Sequence, residues 1–329
     1  MCSAACDPSA LADLRLPDAI VDAHHHLWRL SASGLRYPWL QEAYDPDHFM
    51  LGPYEALRSD FDVAAFRRAT VAAPVVASVH VEAECARSQA LAETQWLHAV
   101  AHEGLPAAIV AWVDLLAADA SDRLAEQAVW PLVRGIRFKP NTTGDPRHPC
   151  ATGRGTLRDP GWLTALERLA MHRLSWDLRV PFWHLDEAAR LVAESPDVTV
   201  VLEHAGLPWD RSDEGLALWR RGMASLAANP NVFVKLSEFG LRNPTWDVAQ
   251  NIQIIRETLA IFGWQRCMFA SNFPVAHLRV TYPVLIQTFA EALADLDETS
   301  ARAVWHDNAI RVYRIDARPR PADDNGPDN

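Results

Sequence analysis

The sequence predicts one α/β domain closed as a (β/α)8 TIM barrel. Eight short apolar runs alternate with longer helical stretches, polar residues recur where the runs end, and 329 residues is a length that one large barrel fills. The first strand is Ala19–His26. Val75–Val81 is the second, followed by a helical stretch over Cys85–His102, and Ala108–Asp114 is the third, followed by Ala120–Val129. Val133–Phe138 comes next, with a helix near Asp159–His172, then Leu174–Val180 with Leu185–Glu194. The last three units are Val198–Glu203 with Glu214–Ala228, Val232–Leu236 with Val248–Phe262, and Cys267–Ser271 with Tyr282–Asp295.

The longest gap follows strand one. Its Tyr37-Pro38-Trp39-Leu40 and Tyr44-Asp45-Pro46-Asp47 segments read as a long loop over the barrel mouth. The barrel is expected over 18–316, after an N-terminal extension of 1–17. A Pro/Asp-rich tail, 317–329, is expected to be disordered.

The net charge of −11, with no basic cluster, argues against nucleic acid as a partner. No stretch free of Asp, Glu, Lys and Arg exceeds 13 residues, too short for a membrane span of about 20. Five cysteines without metal-type spacing suit a reducing compartment, and the start of the chain has no apolar signal-peptide core. A cytoplasmic enzyme with a small-molecule substrate is the expectation, and a homodimer stays open.

The most informative stretch is Val21-Asp22-Ala23-His24-His25-His26-Leu27-Trp28. Alternate residues of a strand share a side, so His24 and His26 project together and His25 faces away. Two imidazoles so placed can share a divalent metal or a substrate carbonyl. Other polar residues end later strands: Glu82 and Glu84, Arg137 and Lys139, His184, Glu203 and His204, Lys235 and Glu238, and Asn272. Any one could be a satisfied buried group, but such residues after seven of eight strands point to a site. Lysine sharpens the pattern, because of 31 Lys and Arg residues only Lys139 and Lys235 are lysines. Lysine is compact and shifts its pKa readily, so at least one of the two is expected to line the site.

In order along the chain stand Asp22-Ala23-His24-His25-His26-Leu27-Trp28, His80-Val81-Glu82-Ala83-Glu84, Gly135-Ile136-Arg137, Glu203-His204-Ala205-Gly206-Leu207-Pro208, Val234-Lys235-Leu236-Ser237 and Phe269-Ala270-Ser271-Asn272-Phe273-Pro274. With the ending Asn308-Ala309-Ile310-Arg311-Val312-Tyr313, this set resembles the amidohydrolase-related (amidohydrolase 2) family of TIM-barrel hydrolases, in its lactonase branch.

The resemblance implies a hydrolase that opens a lactone of a small, carboxylated compound. It implies His24, His26 and His184 as ligands of one divalent metal, Zn or Mn, or as direct polarisers of the carbonyl. It also places His204 and Asn272 among the catalytic residues, and Glu82, Arg137, Lys139 and Lys235 around the substrate. The departure is Asn272, where many relatives carry an aspartate that shuttles a proton. An amide is no base and a weak ligand, so metal occupancy is expected to be low or pH-sensitive, and a metal-independent route stays open. The base is then His204, Glu82 or another strand-end carboxylate. Two alternatives remain: a metal-dependent decarboxylase of the same superfamily, and an altered barrel that only binds a small ligand.

Overall fold

The computed structural model describes residues 16–31, 34–145, 153–243 and 245–316. The tail and most of the N-terminal extension therefore lie outside the described residues. Eight strands form one parallel sheet in sequence order: β1 Ile20–His25, β2 Val75–Val81, β3 Ala108–Ala111, β4 Val133–Ile136, β5 Ser175–Leu178, β6 Val200–Leu202, β7 Val232–Leu236 and β8 Cys267–Phe269. Closure onto β1 runs through the residues after β8: the Asn272 amide donates to the His24 carbonyl and the His26 amide to that of Phe273, both at 2.7 Å. The chain is a TIM barrel.

Between β1 and β2 lie a helical turn, α1 (Pro38–Gln41), and α2 (Val63–Ala69). The crossover helices are α3 (Ala90–Val100), α4 (Ala120–Ala128), α5 (Gly161–Met171), α6 (Leu185–Ala193), α7 (Asp213–Ala227), α8 (Val248–Phe262) and α9 (Tyr282–Leu293). Two more, α10 (Glu298–Arg302) and α11 (Asn308–Tyr313), follow and have no counterpart in the sequence-predicted elements. Side chains cap several starts: Asp62 on α2, Ser212 on α7, Asp247 on α8 and Asp297 on α10 each accept an amide of the first turn. Among the described residues no helix is long and apolar enough to cross a membrane.

The core has two main layers, as expected for strands buried on both faces. Between strands and helices, Trp162 and Trp176 stack at 4.7 Å amid Leu, Ile and Val side chains. Inside the barrel, Val21, Ala23, Val79, Val81, Val110, Val201 and Met268 join Ala309, Val312 and Tyr313 of α11. The loop after β1 folds over the mouth on its own aromatic cluster, which includes Trp28, Tyr37, Leu40 and Tyr54. Arg242, beyond β7, holds that loop by the carbonyls of Pro46, Asp47 and Phe49.

A polar group sits within this interior. Asp177 Oδ2 lies 2.6 Å from Lys235 Nζ and accepts the Tyr313 hydroxyl at 2.6 Å, while Oδ1 accepts Ser175 Oγ at 2.7 Å. It ties β5, β7 and α11 together. Asp177 and Lys235 are both fully buried, so removing one partner strands the other's charge. Asp177→Asn should cost about 3–5 kcal/mol in urea unfolding. A loss below about 1 kcal/mol would show that the pair does not hold the barrel interior together.

Candidate active site

His24 and His26 reach the barrel mouth because β1 is bulged. Asp22 pairs with Ser78 and His25 with His80, so three steps on β1 oppose two on β2. The extra residue re-aims the backbone. Asp22 meets the Tyr282 hydroxyl of α9 and His25 stacks on Phe66 of α2 at 4.3 Å, while His24 turns inward. The expectation that His25 points away from its neighbours holds.

Inside, the His24 and His26 Nε2 atoms lie 3.3 Å apart, and the rings of His24 and His204 are 4.7 Å apart. Glu203 stands between the last two: Oε1 is 3.6 Å from His24 Nδ1 and Oε2 is 3.8 Å from His204 Nε2. Glu203 Oε1 is buried without a hydrogen bond. His204 Nδ1 meets Ser237 Oγ at 2.8 Å. On the other side, Asn272 Oδ1 lies 3.1 Å from His26 Nε2, and Asn272 Nδ2 donates to Glu238 Oε2.

Backbone geometry marks the same place. Glu84, His204, Ala205, Glu238 and Asn272 all have φ between 49° and 57°, the left-handed region that side chains disfavour. They follow β2, β6, β7 and β8. Such strain persists where surrounding structure enforces it, and it gathers at functional sites.

Burial sets the charges. It pushes His26 down to about 3, and His24 and His204 well below their ordinary range; Lys235 adds to the effect on His24 and Arg179 on His204. The three imidazoles are neutral at neutral pH. Glu238 is pushed up to about 7, mainly by burial. Burial also raises Glu203, against the pull of Arg137 and Lys235. For Glu82 burial is outweighed by Arg137 and Arg87, which hold it ionised.

These charge states test the fit of a metal. His26 Nδ1 lies 2.8 Å from the Val81 carbonyl, so its proton sits there and Nε2 carries a lone pair. That lone pair faces the carbonyl oxygen of Asn272 and the Nε2 of His24. A cation between His26 and Asn272 removes the repulsion of lone pair and carbonyl oxygen, as does a reversed Asn272 amide. Two nitrogens bound to one tetrahedral ion at about 2.0–2.1 Å lie about 3.3 Å apart, the spacing His24 and His26 show. Ligand atoms of His24, Glu203 and His204 also fall within 4.8 Å of one another. His24, Glu203 and His204 form a candidate set for a divalent ion, with Glu203 as its carboxylate member.

Several residues expected at the site are engaged elsewhere. His184, read as the third metal ligand, is corrected: the Phe182–His184 turn beyond Pro181 carries it off the end of β5. There its Nε2 accepts the Thr143 amide at 3.1 Å and its Nδ1 meets Glu187 at 3.2 Å. Lys235 is fully buried on Asp177 and touches the site only through His24 Nδ1 at 3.5 Å, so a substrate contact is corrected to a structural ion pair. Lys139 is paired with Glu84. Arg137 is spent on Glu82 at 2.8 Å and Glu203 at 3.4 Å rather than left open for a substrate. Glu82, as Arg137's partner and also Arg87's at 2.9 Å, is no base. Arg179 was hidden because the predicted strand ran to Val180, whereas β5 ends at Leu178.

This barrel with histidines and carboxylates at its strand ends belongs to the amidohydrolase family, whose model matches residues 21–315. Among its relatives, an uncharacterised protein y4mH of Sinorhizobium fredii is 33% identical over 90% of this chain and 99% of that protein. An L-fucono-1,5-lactonase of Burkholderia multivorans is 31% identical over 92% of this chain and 97% of its own length. A crystal structure of an amidohydrolase from Burkholderia multivorans with bound zinc is 27% identical over 90% of this chain and 99% of that one, at a TM-score of 0.73.

The buried Glu238 carboxyl makes stability depend on pH. Its folded-state pKa lies above the ordinary value of 4.5, so its neutral form is favoured by folding. That stability is full below about pH 4.5 and is lost as pH rises through about 7. Glu238→Gln should therefore gain relative to wild type between pH 5 and 8, by roughly 3 kcal/mol once ionisation is complete. A difference in melting temperature that does not change with pH would show that Glu238 is ionised throughout.

Proposed function

We propose that the protein opens a lactone, a cyclic ester of a small compound, by attack of water at the strand-end cluster of His24, His26, His204, Glu203 and Asn272. The observation that carries the reading is His204. Its Nδ1 meets Ser237 Oγ at 2.8 Å, and in the neutral tautomer whose Nδ1–H donates to that hydroxyl the Nε2 lone pair faces the Glu203 carboxyl at 3.8 Å. A base so arranged takes the proton of an attacking water, and Glu203 stabilises the imidazolium that results. On ring opening the same proton passes to the leaving alkoxide. His24 and His26 line the other side of the water's position, and Asn272 is held in one orientation by Glu238. A divalent ion bound here would polarise the lactone carbonyl as a Lewis acid. The lactonases among the relatives support the choice of ester over amide.

The test is hydrolysis across a lactone panel that includes L-fucono-1,5-lactone. Ring opening with no carbon dioxide release is expected, and His204→Asn should lower kcat by about 10²–10⁴ while circular dichroism stays unchanged. Carbon dioxide release from aromatic acids, with lactones untouched, would point to the decarboxylase alternative. Full activity in His204→Asn would remove the proposed base.

Zinc affinity is a separate check on the donor set. Equilibrium dialysis should show Glu203→Gln binding zinc about 10- to 100-fold more weakly than wild type, since it removes the carboxylate member. Equal affinity in both would exclude Glu203 as a ligand.

A further inference from the structure

The stretch His80-Val81-Glu82 carries more than its acid. His80 and Val81 are consecutive on β2, and they hold consecutive residues of the chain leaving β1. The Val81 carbonyl lies 2.8 Å from His26 Nδ1, and His80 Nδ1 accepts the Leu27 amide at 3.1 Å. From the other side the Phe273 carbonyl, beyond β8, accepts the His26 amide at 2.7 Å. His26 is thereby pinned at its ring, at its own amide and at the amide that follows.

The end of β1 creates the need for His80. The ladder between β1 and β2 stops at the pair His25 and His80, so the Leu27 amide, two residues on, is met by a side chain rather than by the ladder. An amide only donates, so His80 Nδ1 carries the lone pair and, in the neutral ring, Nε2 carries the hydrogen. That Nε2 is buried and, among the described residues, has no hydrogen-bond partner; the His25 ring stands 5.8 Å away at 87°. His80 is fully buried, so satisfying one N–H leaves another bare at a cost. An apolar residue at this position would also leave one bare N–H, on Leu27. The count of satisfied donors is the same either way and does not account for a histidine here. What differs is whether the chain beside His26 is anchored.

We propose that His80 is a positioning residue: by fixing the Leu27 amide through Nδ1 it keeps the His26 ring on the Val81 carbonyl, and so keeps His26 Nε2 aimed into the cluster at the barrel mouth. Its effect on turnover rests on the hydrolytic reading above; its hold on His26 does not.

Four forms of the full-length protein test it: wild type, His80→Asn, His80→Gln and His80→Leu. His80→Asn places a carbonyl oxygen where Nδ1 stood, His80→Gln places its amide where Nε2 stood, and His80→Leu offers no acceptor. With isotope-labelled histidine, the Nδ1–H resonance of His26, assigned as the one that His26→Gln removes, should persist in wild type and His80→Asn. It should be lost to exchange in His80→Gln and His80→Leu. On the lactone panel, kcat should fall about 10- to 100-fold in His80→Gln and His80→Leu at nearly unchanged KM, the effect of misplacing a reacting group by about 1 Å. His80→Asn should restore it. A resonance that depends on His80 in this way, with no lactone opened, supports the hold on His26 and removes the hydrolytic reading. A resonance unaffected by all three replacements would overturn the proposal. So would His80→Asn and His80→Gln behaving alike, whether in resonance, in kcat or in losing the native circular dichroism.

Discussion

The site depends on one buried guanidinium. Arg137 leaves the end of β4 and reaches Glu82 beyond β2 and Glu203 beyond β6, so one side chain joins three strand ends across the barrel mouth. Burial works against its charge, but Glu82, Glu203 and Glu84 outweigh that and hold it above its ordinary range. Without it, Glu203 would lose its arginine partner in the interior and Glu82 would keep only Arg87. With it, Glu82 is fixed and ionised, and Glu203 keeps one oxygen free toward His24. The left-handed backbone at Glu84, His204, Glu238 and Asn272 is the strain accepted for bringing these groups so close.

Much of the fold is legible in the sequence, because buried parallel strands are apolar runs of five or so residues and their ends are abrupt. Val75–Val81, Val232–Leu236 and Val248–Phe262 fall where periodicity places them. Strand ends written in mixed residues are less sharp. Arg179 reads as part of a strand because Val180 follows it, and the strand stops two residues earlier than the pattern suggests. Helix α11 carries Ala309, Val312 and Tyr313 against the barrel interior, yet its six residues are too few to show a period.

The site is legible in position but less so in role. Alternation on β1 pairs His24 with His26, although a bulge, invisible in the residue pattern, aims them. The scarcity of lysine correctly marks two strand ends, but both amines are consumed in ion pairs, since composition cannot reveal partners. His184 fails for a local reason: Pro181 starts a new turn, and the ring secures the loop at Thr143 instead. Asn272 looks like a lost carboxylate. In three dimensions a carboxyl from the neighbouring strand end, Glu238 beyond β7, accepts from the amide.

The central claim is that chemistry occurs at the histidine cluster. A crystal structure with a cyclic phosphonate, which mimics the tetrahedral species of ester hydrolysis, tests it most directly. The account predicts phosphonate oxygens within hydrogen-bond distance of His24, His26 or His204. The alternative location is a cleft of about 340 Å³ beside α5, lined by Leu116, Arg154 and Arg168 and holding no histidine. A phosphonate bound there, with the histidine cluster empty, would contradict the account.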